Sequence, residues 1–281
     1  MLSPLQPLSS WPAIDRQQII GVFTDIDDTL TTDGAITPQA LYALGQLKAA
    51  GYPVVAITGR PVGWSLPFAA SWPVDCIVAE NGSVALVRQG MEVTRLYLQD
   101  EALRRHNFSR MQSVARRILR EVPQARLAQD SPGRETDIAI DHSEFVQLPE
   151  VAIQQTAAIM RSEGMNATVS SIHINGWFGA HNKLVGARWI VAALFGRVLQ
   201  DEMDRWVSVG DSTNDQLMFA AFANSVAVAN VRRFIPALTS LPHYVTPSER
   251  GTGFAEVVSA LLAARGMAAA ADRPRLARSA V

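Results

Sequence analysis

Short apolar, β-branched runs that stop at polar residues and give way to helix-spaced apolar positions set the layout of this chain. Val22, Phe23 and Thr24 form the first run and end at Asp25. The helix that follows is legible. Thr37 can cap it, Pro38 suits its first turn, Leu41, Leu44 and Leu47 make a stripe, and Gly51 ends it. Pro53 opens a second run, Val54 to Ile57, which stops at Thr58, Gly59 and Arg60. A strand, helix and strand at this spacing predict a right-handed parallel crossover, so both strand tips fall on one sheet edge. Ile77, Val78 and Ala79 predict a third short strand that ends at Glu80, Asn81 and Gly82.

From Val84 to about His181 the pattern changes. Two β-rich runs flanking Gln89 and Gly90 read as a hairpin, an antiparallel signal. Helical stretches at 100–120 and 149–163 then alternate with strand-like stretches at 137–140 and 168–174. The parallel pattern resumes with a helix over 183–195, a strand at 206–209, a helix at 216–222, strands at 226–229 and 243–246, and a last helix at 253–264. The expected fold class is α/β: a Rossmann-like parallel-sheet core, residues 1–83 and 182–265, with an inserted α+β cap domain, residues 84–181. Residues 266–281, Ala-rich and punctuated by Asp272, Arg273, Pro274, Arg275 and Arg278, read as a solvated, disordered tail.

Chemistry gathers at the strand tips, the edge where open α/β sheets bind ligands. Asp25 and Asp27 are two apart, so on an extended segment their carboxylates share one face and one small volume. A divalent cation offsets that repulsion. A raised pKa on one of them leaves a nucleophile beside a proton donor, the pairing that phosphate-ester cleavage needs. A calcium loop does not fit, since Leu30 and Ile36 stand where it needs Gly and Glu. A helix N-cap is the bland alternative for one such cluster. A second one, Gly210, Asp211, Ser212, Thr213, Asn214 and Asp215, follows the strand at 206–209 and shifts the balance toward two tips converging on one cation.

Composition narrows the partners. With 281 residues and 48% hydrophobic content the chain can bury a sizeable core. A formal net charge of -1 supplies no basic field for nucleic acid or an anionic membrane, while a small anionic substrate stays compatible. One cysteine, Cys76, excludes an internal disulfide, reads as core packing, and makes a reducing cytoplasm the default. The first eighteen residues, with Pro4, Pro7 and Pro12, match neither a signal peptide nor a spanning helix. A monomer or small homo-oligomer is expected.

Four short motifs in order resemble those of the haloacid dehalogenase-like phosphatase superfamily. Asp25 to Leu30 is similar to the first, Thr58-Gly59-Arg60 to the second, Lys183 at a helix start to the third, and Gly210 to Asp215 to the fourth. The insertion and Asn81-Gly82 resemble the subfamily with a large α/β cap, which includes Cof-type sugar phosphatases. The resemblance implies that Asp25 attacks phosphorus to form an aspartyl-phosphate, and that Asp27 protonates the leaving oxygen and then activates water. It implies Mg²⁺ held by Asp25, the Asp27 backbone carbonyl and Asp211, with Asp215 orienting Lys183 or a metal water. Thr58, Gly59 and Lys183 would stabilise the transferring phosphoryl group, and Arg60, Asn81 and Asn214 would help bind phosphate or substrate.

His173, Asn175 and Trp177, which lead back to His181, offer hydrogen bonds and a ring to a polyol. The alternative is that His173 and Asn175 pair across a cap sheet while Trp177 packs the hinge. The arginines of 104–120 read as a solvated helix face. The substrate expected is a small phosphomonoester, a sugar phosphate or phosphorylated sugar acid. A phosphosugar mutase shares the aspartate pair, and net phosphate release separates it from a hydrolase. A non-catalytic sugar-phosphate binding module would bind without turnover. A serine esterase centred on Ser212 lacks its Asp-x-x-His partner, because Ser240 stands three residues before His243.

Overall fold

The protein is described by a computed structural model covering residues 5–90 and 92–271. A short strand, β1 (Gln6–Pro7), and helix α1 (Ala13–Gln18) lead into β2 (Gly21–Thr24). A two-stranded flap, β3 (Thr31–Thr32) and β4 (Ala35–Ile36), precedes α2 (Pro38–Ala49), whose Thr37 cap accepts from the Ala40 N–H at 3.2 Å. Then come β5 (Val54–Ile57), α3 (Val62–Ser71), β6 (Cys76–Ala79) and the hairpin β7 (Val84–Gln89) and β8 (Glu92–Tyr97). The inserted module holds α4 (Glu101–Glu121), β9 (Arg126–Leu127), β10 (Ile138–Asp141), α5 (Glu150–Ser162), β11 (Asn166–Val169) and β12 (His173–Trp177). The core is completed by α6 (Lys183–Phe195), β13 (Trp206–Gly210), α7 (Gln216–Ala221), β14 (Asn224–Ala227), β15 (Tyr244–Val245) and α8 (Arg250–Ala271).

The core sheet runs β1-β15-β14-β13-β2-β5-β6-β7-β8 and is parallel from β1 to β6. Every residue of β2, β5, β6, β13 and β14 is buried, as expected of parallel strands covered on both faces. One face packs Leu44 and Leu47 of α2 with Phe254 and Leu261 of α8, and the other packs Ile190 of α6 with Phe222 and Trp206. The order places β2 beside β13, so the two acidic segments leave adjacent strands at the same end.

The cap is a four-stranded antiparallel sheet, β11-β12-β10-β9, covered by α4 and α5 around Met111, Ile118, Ile140, Met160 and Ile174. It rests on the core closely enough that a Cβ on Gly63 would lie 2.8 Å from the Gly133 Cα.

Four features stand out, three of which depart from the sequence expectation. The hairpin at 84–97, expected within the cap at 84–181, extends the core sheet through β7 against β6, because Val84 to Val87 are buried on both faces. The strand expected at 168–174 is two strands, since Ser170 Oγ takes the His173 N–H at 3.0 Å and closes a turn between β11 and β12. Helix α3 forms despite Pro67 in its interior. The last helix runs on to Ala271, so residues 266–271 of the expected tail are helical. Residues 272–281 and Pro4 lie outside the described residues.

Candidate active site

Asp25 follows directly on β2, and its N–H donates to the Val209 carbonyl at 2.9 Å, which extends the β2–β13 ladder by one residue and sets the two strand tips side by side. Lys183 arrives from the other side as the first residue of α6, behind Asn182, whose side chain caps the helix by accepting from the Val185 N–H at 3.0 Å. The Lys183 Nζ lies 2.8 Å from Asp25 Oδ1 and donates to Asp215 Oδ1 at 2.7 Å. The other Asp215 oxygen accepts from the backbone N–H groups of Asp211 and Ser212 at 2.9 and 3.3 Å. Gly210 permits this, because a Cβ there would overlap the Asp215 carboxylate.

Asp211 is fully buried; its Oδ2 accepts from Asn230 Nδ2 at 3.1 Å, and its Oδ1 has no partner among the described residues. One oxygen from each of Asp25, Asp211 and Asp215 falls within 4.8 Å of the others. Three buried carboxylates here face one ammonium, and the acidities of Asp25 and Asp211 show it. Burial pushes Asp25 up to about 7, with Lys183 opposing and Asp215 and Asp27 adding to the rise. Burial, with Asp25 and Asp215, raises Asp211 well above the ordinary carboxylate range. Burial alone would lower Lys183, but Asp215 and Asp25 outweigh it and hold the ammonium charged. A cluster of hard oxygens with one orphaned acceptor and excess negative charge fits a small divalent cation such as Mg²⁺.

The Asp27 carboxylate is turned away from this cluster. Both its oxygens accept from Arg60 Nε, at 2.9 and 3.0 Å. Thr58 Oγ1, fully buried, accepts from the Arg60 N–H at 3.0 Å and retains its own hydrogen to donate. Arg60, expected among the phosphate contacts, is engaged instead by Asp27, by Glu144 at 2.7 Å and by Asp130 at 3.3 Å, the last two from the cap. Asn81, expected beside it, has φ 56° and donates to Asp137 Oδ2 of the cap at 3.3 Å. Gly59 sits against the Asn81 and Asn175 side chains, and Asn214 accepts from Ser212 Oγ at 3.0 Å at the rim.

Two of the aromatic-polar residues near the cap hinge face the site and two do not. His173 and Asn175 border, with Ser170, Ser171, Asp25, Asp27, Gly59 and Asn214, a closed space of about 10 Å³. That is room for about one water, too little for a phosphomonoester between Asp25 and the cap strands, whereas Asn81, Lys183 and Asn214 also line an adjoining cleft of about 290 Å³. Trp177 packs at the hinge, donating to the His181 carbonyl at 2.9 Å and stacking on its ring. Sequence reasoning missed Glu80, Asp130, Asp137 and Glu144, isolated acids with no motif spacing to mark them. The α4 arginines lie on the cap surface, Arg117 paired with Glu121 and Glu163.

Residues 22–110 match the family model of the haloacid dehalogenase-like hydrolases. The chain is 26% identical over 241 residues to a phosphoglycolate phosphatase of Methanothermobacter thermautotrophicus, covering 84% of this chain and 96% of that one. A phosphoglycolate phosphatase of Methanothrix thermoacetophila is likewise 26% identical over 251 residues, 88% of this chain and 98% of the other. Among solved structures, a Thermoplasma acidophilum protein superposes with a TM-score of 0.67 at 16% identity, covering 87% of this chain and 98% of its own. The sucrose-phosphatase of a Synechocystis species, solved with sucrose and phosphate, superposes with a TM-score of 0.62 at 16% identity over 87% and 98% of the two chains.

Proposed function

We propose that this chain, a phosphatase similar to the haloacid dehalogenase-like hydrolases, hydrolyses a small phosphorylated sugar or sugar acid, with Mg²⁺, through an aspartyl-phosphate on Asp25. The observation that carries the reading is the contrast between two aspartates two residues apart. Asp25 shares a buried ammonium and an acidic cluster, whereas Asp27 is held apart by Arg60.

Asp25 Oδ attacks phosphorus while the bond to the leaving oxygen breaks and protonated Asp27 gives that oxygen its proton. Water then attacks the aspartyl-phosphate, Asp27 takes the water's proton, phosphate leaves, and Asp25 is restored. Lys183, Thr58 Oγ1 and the Gly59 N–H stabilise the equatorial oxygens of the transferring group. Asp215 holds Lys183 in place. Asp25, Asp211 and the Asp27 carbonyl, with Asp215 behind them, would hold Mg²⁺, which when bound offsets the carboxylate and phosphoryl charge. Ser170, Ser171, His173 and Asn175 offer hydroxyls, an imidazole and an amide to the oxygens of a small leaving group. The named relatives, phosphoglycolate and sucrose-phosphate phosphatases, support this range of substrates.

A cytoplasmic setting is part of the proposal. Cys76 is buried and its thiol is pushed up by burial, and none of the helices among the described residues is long and apolar enough to cross a membrane. The test is inorganic phosphate release from phosphoglycolate, sugar phosphates and p-nitrophenyl phosphate, with Mg²⁺ or with EDTA. Release that needs Mg²⁺ and falls at least about a thousandfold in Asp25→Asn is expected. Wild-type rates in that variant would refute the mechanism.

A further inference from the structure

Arg60 touches both the acid–base aspartate and the closed cap, and it is 4% exposed. Its Nε and Nη2 both lie 2.9 Å from Asp27 Oδ1, while Nη2 also donates to Glu144 Oε1 at 2.7 Å and Nη1 reaches Glu144 Oε2 and Asp130 Oδ2, each at 3.3 Å. The Trp64 ring lies against the guanidinium at 4.8 Å. Glu144 is fixed on its own side of the cleft by other groups. The N–H groups of Glu144 and Phe145 both donate at 2.9 Å to the buried Asp141 carboxylate, which locks the turn after β10. His173 Nε2 lies 2.8 Å from Glu144 Oε2, and since two acceptors do not pair, that nitrogen carries the proton. Against the effect of burial, His173 and Arg60 hold Glu144 down at about 2, so it meets Arg60 as a carboxylate.

A guanidinium is planar, with its donors in a fixed fork. Anchoring Nη1 and Nη2 on Glu144 and Asp130 therefore sets the plane in which Nε and Nη2 meet Asp27. An open cap would leave Arg60 its contacts to Asp27 and the Trp64 ring but remove Glu144 and Asp130 together, the two carboxylates that fix the outer edge of the guanidinium.

We infer that Glu144 is a positioning residue for Asp27: on closure it seizes the terminal nitrogens of Arg60 and thereby aims the Asp27 carboxyl at the leaving oxygen. The inference rests on the phosphatase reading, with Asp27 as the proton donor. It makes leaving-group protonation conditional on a shut cap, although Glu144 touches neither Asp27 nor the reacting atoms.

Leaving-group dependence separates this role from that of a mere latch. An alkyl phosphomonoester expels a poor alkoxide and needs the proton, whereas p-nitrophenyl phosphate expels a stable phenolate and does not. The first chemical step is measured in single turnovers with Mg²⁺ for wild type and Glu144→Gln. The alkyl ester is phosphoglycolate or a hexose 6-phosphate, whichever wild type turns over. Expected is a loss of about 100-fold on the alkyl ester and no more than about threefold on the aryl ester, with KM moving less than about twofold. Glu144→Asp, which keeps the charge and shortens the arm, is expected between wild type and Glu144→Gln. It carries the same comparison if Glu144→Gln does not fold by thermal unfolding.

Equal losses on both esters would make Glu144 only a latch and overturn the inference, as would no loss on either. Wild type releasing phosphate from neither ester would instead overturn the phosphatase reading beneath it.

Discussion

Removing the metal should make stability depend on pH in a direction set by Asp25. The group titrates near 7 in the fold against 3.8 ordinarily, chiefly because it is buried. A group whose folded pKa is raised contributes stability that is full below its unfolded value and lost as pH rises through the folded one. Between pH 5 and 8 the Asp25 contribution therefore falls by about 3 kcal/mol, roughly 5–10 °C in Tm for a chain of this size. Asp137, also raised by burial to about 7, adds a fall of its own. His181, held by burial at about 4, works in the opposite sense. The quantity to read is thus the difference between wild type and Asp25→Asn in EDTA, in which Asp137 and His181 largely cancel, while Asp211, raised in part by Asp25, adds a fall of the same sign to wild type. Wild type should lose stability relative to the variant from pH 5 to 8 by about that amount. Mg²⁺ at 100 times its Kd should add about 3 kcal/mol to wild type at pH 8 and less at pH 5, where protons compete for Asp25. A difference that is flat, or that grows in favour of wild type with rising pH, would refute the assignment of a strained, buried nucleophile.

Lys183→Ala leaves Asp25 and Asp215 facing each other without their shared ammonium. It should lower stability in EDTA by about 3–5 kcal/mol and turnover by at least about 100-fold, read by thermal unfolding and phosphate release. Glu80→Gln replaces a buried carboxylate that accepts from the Val62 and Glu135 N–H groups and from Thr136. It should cost about 2 kcal/mol or more and speed limited proteolysis at the cap–core junction. Gly186→Ala puts a Cβ 2.6 Å from the Gly82 Cα, where α6 crosses the turn after β6. A loss of about 1–3 kcal/mol with a weakened response to Mg²⁺ is expected, and a neutral effect would mean that this crossing yields readily.

Much of the core is legible in the chain because its signals are local. The capped, proline-started α2, the buried β-branched runs and the polar stop at each strand tip need no knowledge of what lies across the sheet. So the positions of Asp25, Thr58 and Asp211 on one edge follow from periodicity and order, while Lys183 joins them only through the motif resemblance. The β7–β8 hairpin was assignable as a hairpin but not to a sheet, since nothing in Val84 to Tyr97 states which edge its buried face will join. Arg60 is a related case. Its place at a strand tip beside Thr58 points to phosphate, but its partners Asp130 and Glu144 come from 70 and 84 residues away. Glu80, at φ 49°, takes its meaning from cap N–H groups more than 50 residues on.

The same split between local and distant partners runs through the chemistry. The groups around the proposed nucleophile, Lys183, Asp215 and the unpartnered Asp211 oxygen, all belong to the core. Everything that fixes the direction of the proton donor passes through Arg60 to cap carboxylates. Phosphoryl acceptance and leaving-group protonation therefore answer to different parts of the molecule. Substitutions in the cap should change which leaving groups are tolerated more than they change attack at phosphorus. On that reading an open cap would leave the groups around Asp25 as they are, but admit water and release Arg60 from Glu144 and Asp130. A shut cap restores both conditions together, which ties bond cleavage to the presence of a leaving group small enough to let Glu144 reach Arg60.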